Sequence, residues 1–302
     1  MNDAELYQAY NQLQRKDSLF YLNNHVSKIK WKKGINSILD IGSGDGSVTQ
    51  ILKSHIPPDC EYKILGIDIS EDMIKYANKH NQDKNIDFTK LDIAGNIPQN
   101  HIGKFDHVFS FYALHWVMDQ KLAYSNIYNL LNDNGECFMI FIGGSPIYNV
   151  FQILQKTDKW GPYITDLDKY ISPYNSIKTL KELMDNTGFV DVEVQYKDLC
   201  YVYANKDIAR KSLKSICPFQ IPDNLCEEFM DDYMAIFREL GFIQMPDEGN
   251  EEILLSNITS LMLPLVNLRY SVRSYRVAPV RTEVICDIPR IIIFTSPFPQ
   301  PH

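Results

Sequence analysis

The chain has 302 residues, of which 45% are hydrophobic and 23% charged, and it carries a formal net charge of −8. This composition supplies ample apolar material for a sizeable core and excludes disordered, collagen-like and coiled-coil classes. The negative charge argues against a nucleic-acid or anionic membrane surface, because either would need a basic field to attract phosphates. We therefore expect an acidic enzyme that acts on small molecules, with no nucleic-acid partner and no membrane insertion.

The amino-terminal segment carries Asp3, Glu5 and Arg15 among polar side chains and has no apolar signal-peptide core, so we expect a cytoplasmic protein. The whole chain has six cysteines and no CxxC pair, a spacing that is typical of reduced thiols. The histidines show no HExxH or comparable ligand spacing, so no metal site is predicted. A homodimer is compatible with the sequence, which leaves the oligomeric state open.

Strand-like apolar runs alternate with helical patterns through the central half of the chain. Predicted strands cover residues 37–41, 63–69, 86–91, 107–112 and 136–142, and predicted helices cover 47–55 and 120–131. A further helix begins after Ser70, a suitable N-cap with two acidic residues behind it. The alternation predicts an α/β fold, a doubly wound, Rossmann-like parallel sheet with helices on both faces.

Two groups of helical segments interrupt this alternation. Residues 2–33 are predicted to be helical, and aromatic-rich helical segments at 146–185 and 205–243 flank a probable strand at 190–203. We expect these segments to form an interleaved cap over the open end of the sheet, where ligands of doubly wound folds bind. The predicted catalytic domain spans 1–252, with its core at about 35–145 and 186–204 and its cap in 2–33, 146–185 and 205–248. The cap aromatics could line an apolar pocket or simply form core.

A glycine-rich turn between the first strand and the first helix is the strongest chemical signal. The sequence reads ILDIGSGDGS from Ile38 to Ser47, and Gly42, Ser43 and Gly44 let the backbone approach a ligand closely. The third glycine falls one place too early for the dinucleotide pattern GxGxxG. A turn with acidic Asp40 two places before its first glycine suits a cofactor that has no pyrophosphate.

Carboxylates also end the second and third predicted strands. Asp68 stands where it can accept both hydroxyls of a ribose, and Asp92 where it can accept from an adenine amino group. Ile69 and Ile93 follow them and are expected to pack on the ring faces. Ser110, near the end of the fourth strand, completes the candidate cofactor contacts.

Together these residues resemble the motifs of class I methyltransferases, over about residues 35–142. The resemblance implies S-adenosyl-L-methionine as cofactor, with Asp40, Gly42 and Gly44 near its methionine part, Asp68 at the ribose and Asp92 at the adenine. It also makes a nicotinamide dehydrogenase the weakest alternative.

A more specific resemblance is dispersed over about residues 1–248. LYQAYNQLQRKD at 6–17, KWKK at 30–33, FDHVFSFY at 105–112, LHW at 114–116 and DKW at 158–160 are similar to insect juvenile hormone acid O-methyltransferases. The likeness implies methyl transfer to the carboxylate of farnesoic acid or juvenile hormone acid, with Gln14 and Trp116 holding that carboxylate. His115 either orients the substrate or satisfies a buried hydrogen bond.

The chemistry is compatible with these neutral side chains. A carboxylic acid with a pKa near 4 to 5 is already ionised at pH 7, so its methylation needs no general base. The protein must instead place a carboxylate oxygen in line with the methyl group. Gln14 and Trp116 are uncharged donors that can hold one oxygen without an ion pair that would blunt its nucleophilicity. Methylation of another small carboxylic acid, and a catalytically silent ligand-binding variant, are the alternatives.

The last fifty residues, 253–302, differ in composition from the rest. They contain five arginines, six prolines, no lysine and no glycine. Residues 282–286 or 290–295 could supply the late antiparallel strand that the resemblance implies. We expect instead an atypical carboxy-terminal tail that leaves the sheet incomplete.

Overall fold

The computed structural model describes residues 3–171, 174, 176–241, 243–244 and 253–267. The strands are β1 (Ile35–Ile41), β2 (Glu61–Asp68), β3 (Ile86–Lys90), β4 (Phe105–Phe111), β5 (Leu131–Gly144), β6 (Gln195–Tyr203), β7 (Ile243–Gln244) and β8 (Ile253–Asn267). The helices are α1 (Ala4–Tyr10), α2 (Gln12–His25), α3 (Ser47–Ser54), α4 (Glu71–His80), α5 (Gln120–Leu130), α6 (Pro146–Gln155), α7 (Leu167–Tyr170), α8 (Ile177–Thr187), α9 (Lys206–Ser215) and α10 (Cys226–Glu239).

The strands form one sheet in the order β3-β2-β1-β4-β5-β8-β6, with β7 beside β8. Strands β1 to β5 are mutually parallel, as the alternation of strand and helix predicted. Every residue of β4 is buried, because helices cover both faces of the sheet. The predicted α/β, doubly wound fold is confirmed, and the helical segments α6 to α10 lie between the late strands in sequence.

Alternate residues of each central strand enter different cores. On one face, Phe109 and Phe138 pack with α2, α3 and the cap helices α6, α9 and α10. On the other face, Val108 and Met139 pack with α5 and α8. This period of two is the geometric consequence of the pleat, and it places the cap aromatics and the sheet in one continuous apolar cluster.

Strand β8 corrects the expectation of an incomplete sheet. Residues Ile253–Asn267 pair antiparallel with β5 on one side and β6 on the other. Pro264 lies where the β5–β8 register shifts, between the pairs Met139–Leu263 and Cys137–Val266, and pairing with β6 extends only to Met262. A proline is tolerated at such an irregularity because no ladder donor is needed there. The segments 282–286 and 290–295 lie outside the described residues.

A buried polar network joins the segment before β1 to the amino ends of the strands. Lys32 Nζ donates to Asp106, and the Trp31 ring lies 4.7 Å from the ring of His107. His107 Nε2 lies 3.1 Å from Asn36 Oδ1, whereas its Nδ1 is 3.8 Å from Glu136 and has no hydrogen-bond partner among the described residues. Burial lowers the pKa of His107 to about 4.

The depressed pKa of His107 predicts an acid-sensitive contribution to stability. Between about pH 6.5 and 4 the unfolded chain takes up a proton at this histidine and the native chain does not, so native stability falls as pH falls. Relative to His107→Gln, the wild type should lose about 2 kcal/mol of unfolding free energy between pH 7 and pH 5, measured by urea titration. A difference that is the same at both pH values would contradict this assignment.

The predicted domain boundary at residue 252 falls directly before β8, and truncation tests whether the folded domain extends beyond it. Ending the chain at residue 252 removes the strand between β5 and β6, so we expect loss of cooperative thermal unfolding measured by circular dichroism. A chain ending at residue 267 keeps β8 and is the control. Wild-type melting of the shorter chain would show that β8 is dispensable.

Candidate active site

The loop after β1 makes a tight turn against neighbouring segments of the chain. Glycine is required at Gly42 and Gly44 of this turn. Gly42 and Gly44 have φ angles of +72° and +54°, in the left-handed region that side chains disfavour. A Cβ added to Gly42 would lie 2.1 Å from Cβ of Ala113. The amides of Gly42 and Ser43 donate to the carbonyl of Ile67 at 2.8 and 3.0 Å, which fixes the turn against the end of β2.

Asp68, at the carboxyl end of β2, is oriented by backbone amides. Gly44 N donates to its Oδ2 at 3.0 Å, and Ser70 N donates to its Oδ1 at 2.8 Å. Burial nevertheless raises the pKa of Asp68 above its usual value. A carboxylate oxygen has two lone pairs, so each oxygen can still accept a hydroxyl of a bound ligand.

A cavity of about 540 Å³ opens beside this turn, at the carboxyl ends of β1 to β4. Its size and position are those of a ligand site in a doubly wound sheet. The predicted site residues that line it are Gly42, Gly44, Asp68, Ile69, Asp92, Ile93 and Trp116. The structure therefore brings together the two glycines, both strand-end carboxylates and the tryptophan.

The charges around the cavity have a single sign. Among its described lining residues the ionisable acids are Asp68, Asp92 and Asp119, and none is a lysine, arginine or histidine. Such a wall attracts a cation and repels phosphates. It therefore disfavours a nicotinamide dinucleotide and favours a ligand with positively charged groups.

Two large apolar side chains at the cavity are unusually exposed. Ile69 is 65% exposed and Met118 54% exposed, although both border the cavity. A flat apolar ring bound there would cover them. The expectation that Ile69 packs on an adenine ring is compatible with this position and stays a prediction.

Sequence reasoning missed several lining residues, including Tyr7, Ser70, Tyr112, Ala113, Met118 and Asp119. A Cβ built on Gly44 would lie 3.5 Å from the Tyr7 ring, so Tyr7 covers the glycine turn. Burial, followed by the charges of Asp45, Asp68 and Asp40, raises the pKa of Tyr7. Tyr7 is one of two tyrosines in α1, together with Tyr10, and the sequence pattern alone does not distinguish them. The other missed residues after β4 could have been predicted as cavity lining, because they directly follow the carboxyl end of a parallel strand.

Three predicted cofactor contacts do not line the cavity but lie buried beneath the turn. Asp40 accepts from Thr49 Oγ1 at 2.6 Å, and burial raises its pKa to about 7. Ser110 Oγ donates to the carbonyl of Ile41 at 3.0 Å, and Ser43 is buried. Asp40, Ser43 and Ser110 are thus buried next to the turn and outside the cavity lining, and their contact with a cofactor stays a prediction.

Gln14 and His115 also lie outside the cavity lining. Gln14 is buried on α2, and its Oε1 has no hydrogen-bond partner among the described residues. His115 Nδ1 accepts from Ile142 N at 3.4 Å, and burial lowers the His115 pKa to about 3, so this ring is neutral at pH 7. Its ring centroid lies 4.8 Å from that of Trp116. Of the two roles considered for His115, a satisfied buried histidine matches this geometry.

Comparison with solved structures supports the class of fold. The chain matches the YcgJ protein of Bacillus subtilis with a TM-score of 0.55 at 15% identity, covering 83% of this chain and 99% of that one. Residues 32–188 match the family model described as a methyltransferase domain. The strand order, glycine turn and strand-end cavity thus define a class I methyltransferase.

Relatives with higher sequence identity show which methyltransferase family the chain belongs to. Juvenile hormone acid O-methyltransferase of Bombyx mori is 45% identical over 247 residues, covering 80% of this chain and 88% of that protein. The enzyme of the same name from Drosophila melanogaster is 37% identical, covering 83% and 87%. The chain belongs to the juvenile hormone acid O-methyltransferase family, whose members are S-adenosylmethionine-dependent.

The cavity fits that cofactor. A sulfonium and an ammonium group match a wall whose charged groups are aspartates, and the ribose hydroxyls match the oriented oxygens of Asp68. In the part of the chain that the structure describes, no helix combines the length and apolarity needed to cross a bilayer.

The role of Asp68 can be tested by cofactor binding. Asp68→Ala should weaken binding of S-adenosylmethionine by about 10- to 100-fold, because a charged hydrogen-bond acceptor is lost. Asp72→Ala removes an exposed carboxylate four residues away and should bind as the wild type does. Isothermal titration calorimetry measures both. Equal affinity of Asp68→Ala and wild type would exclude Asp68 from the binding site.

Proposed function

We propose that the chain transfers a methyl group to the carboxylate of a sesquiterpenoid acid, farnesoic acid or juvenile hormone acid, and releases the methyl ester. The names of the two insect relatives support this substrate class. The observation in this chain that carries the proposal is a run of aromatic rings that begins at the cofactor cavity and enters the cap.

Trp116 starts this run, since it lines the cavity. Its ring centroid lies 6.1 Å from that of Tyr170, which lies 5.6 Å from Phe219, which in turn lies 4.9 Å from Phe151. Trp116, Tyr170 and Phe219 are only partly buried, so they offer ring surface to a ligand. An extended hydrocarbon chain packed along them would gain roughly 0.8 kcal/mol per buried methylene.

The side chains favour reaction of an ionised acid without a base. The carboxylate is charged at pH 7, and the histidine nearest to Trp116 is buried and neutral. S-adenosylmethionine supplies the methyl group on a positively charged sulfur. Gln14 and Trp116 offer neutral N–H donors that hold one carboxylate oxygen while the other faces the methyl group. The apolar rings beyond Trp116 stabilise the neutral ester product more than the charged carboxylate substrate. This difference favours methyl transfer.

The alternatives fit the site less well. A polar acid with several carboxylates would require cations, and none is found among the described cavity-lining side chains. The silent-variant hypothesis rested on an incomplete sheet, and β8 fills the place between β5 and β6. A fatty acid could also pack along the aromatic rings, so the panel of acids below includes one.

Incubating the protein with methyl-labelled S-adenosylmethionine and a panel of acids tests the proposal. Farnesoic acid and juvenile hormone acid should give labelled methyl ester, whereas aconitate and a medium-chain fatty acid should give little. Gln14→Ala should lower turnover by about 10- to 100-fold with cofactor affinity nearly unchanged, because one donor to the carboxylate is lost.

Gln12→Ala, which changes an exposed glutamine on the same helix, is the control and should turn over like the wild type. No ester from either sesquiterpenoid acid would refute the substrate assignment. Full turnover by Gln14→Ala would remove Gln14 from the site while leaving the substrate class intact.

A further inference from the structure

Helix α2 contacts the methyltransferase core near its amino end through Asn11. Asn11 is 1% exposed, and its Nδ2 donates to Asp45 Oδ2 at 3.2 Å and to Ser47 Oγ at 3.0 Å. Asp45 and Ser47 flank the end of the glycine turn, where α3 begins. The break between α1 and α2 is therefore fixed to the same loop that forms the floor of the cofactor cavity.

A second contact lies two turns further along the helix. Tyr112 Oη donates to Asp17 Oδ2 at 2.6 Å. Tyr112 follows β4 and lines the cavity, and its amide donates to the carbonyl of Ile140 at 2.7 Å. Its φ of +56° lies in the left-handed region, which is unfavourable for an aromatic residue. Such strain persists only where surrounding contacts hold it, and the hydrogen bond to Asp17 is one of them.

Gln14 lies between these two contacts. Residues 11, 14 and 17 are three apart, so they follow one side of the helix. The side chains at both ends of this series contact residues near the cavity: Asn11 contacts Asp45 and Ser47, which follow the glycine turn, and Asp17 contacts the lining residue Tyr112. The central one is buried, and its Oε1 is without a hydrogen-bond partner in the described structure. The outer residues thus hold the helix, while no hydrogen bond through Oε1 ties the Gln14 side chain to another part of the described structure.

We propose that Asn11 and the Tyr112–Asp17 pair are positioning residues, a two-point dock that fixes α2 and presents Gln14 at the edge of the cofactor cavity. The inference rests on the proposed function in assigning Gln14 to the acid. Tyr112 is the central element of the dock, since its ring faces the cavity and its hydroxyl holds the helix.

The kinetic test compares variants at the second contact. Tyr112→Phe keeps the ring and removes the hydrogen bond, so turnover of the acid should fall by about 10-fold or more while the KM for S-adenosylmethionine stays within about 2-fold. Asp17→Asn retains an oxygen acceptor and should keep more turnover than Asp17→Ala. The double variant Tyr112→Phe/Asp17→Ala should be no slower than the slower single variant, because both lose one interaction. Additive losses would overturn the pairing.

Amide hydrogen exchange tests the dock without any acid substrate. With S-adenosylhomocysteine bound, residues 12–25 should exchange faster in Tyr112→Phe and in Asn11→Ala than in wild type, whereas Gln12→Ala should leave exchange unchanged. Unchanged protection of this segment in both dock variants would overturn the proposal, whatever their activity. If exchange responds but no sesquiterpenoid ester forms in the wild type, the dock stands and the substrate assignment fails.

Discussion

The hydrogen bond from the Gly44 amide to Asp68 is the contact on which the site depends. It joins the first and second βα units at their carboxyl ends, beside two further amide contacts from the turn to Ile67. A donor at this position requires a backbone with positive φ, which only glycine adopts without cost. The turn therefore fixes the direction of the Asp68 oxygens, closes the floor of the cavity, and offers a loop on which Asn11 anchors α2.

The cavity and the acid-binding region require opposite electrostatics. Burial raises the pKa of Asp40, Asp45 and Asp68, so their ionised forms are costly until a cation lies near them. An anionic substrate would be repelled by the same carboxylates. The residues assigned to the acid meet this conflict by being uncharged: Trp116 lines the same cavity as Asp68, Asp92 and Asp119, and it and Gln14 are neutral donors. Neutral donors orient an anion and leave its charge available for attack.

Strand ends account for what the sequence could predict. Gly42, Gly44, Asp68 and Asp92 follow recognisable strands, and the carboxyl ends of parallel strands meet at one edge, so their convergence needed only the strand pattern. Tyr112 escaped because its role depends on a left-handed backbone and on a partner 95 residues away. Strand β8 escaped because the change in composition after residue 252, which includes six prolines, argued against a central strand, and only its pairing with β5 and β6 reveals how Pro264 is accommodated.

The dispersed segments that carry the family likeness form two groups: one stabilises the fold, and the other lies at the cavity. Lys32 pairs with Asp106 at the amino ends of the strands, and Trp160 Nε1 donates to Asp232 at 2.8 Å within the cap. These contacts hold distant parts of the chain together and do not reach the cavity. Among the described residues that carry the likeness, Tyr7, Tyr112 and Trp116 line the cavity, and Gln14 and Trp116 are the residues assigned to the acid. The Lys32–Asp106 and Trp160–Asp232 contacts could therefore be kept in a relative that methylates a different acid. They stabilise the fold and involve other residues than those assigned to the acid.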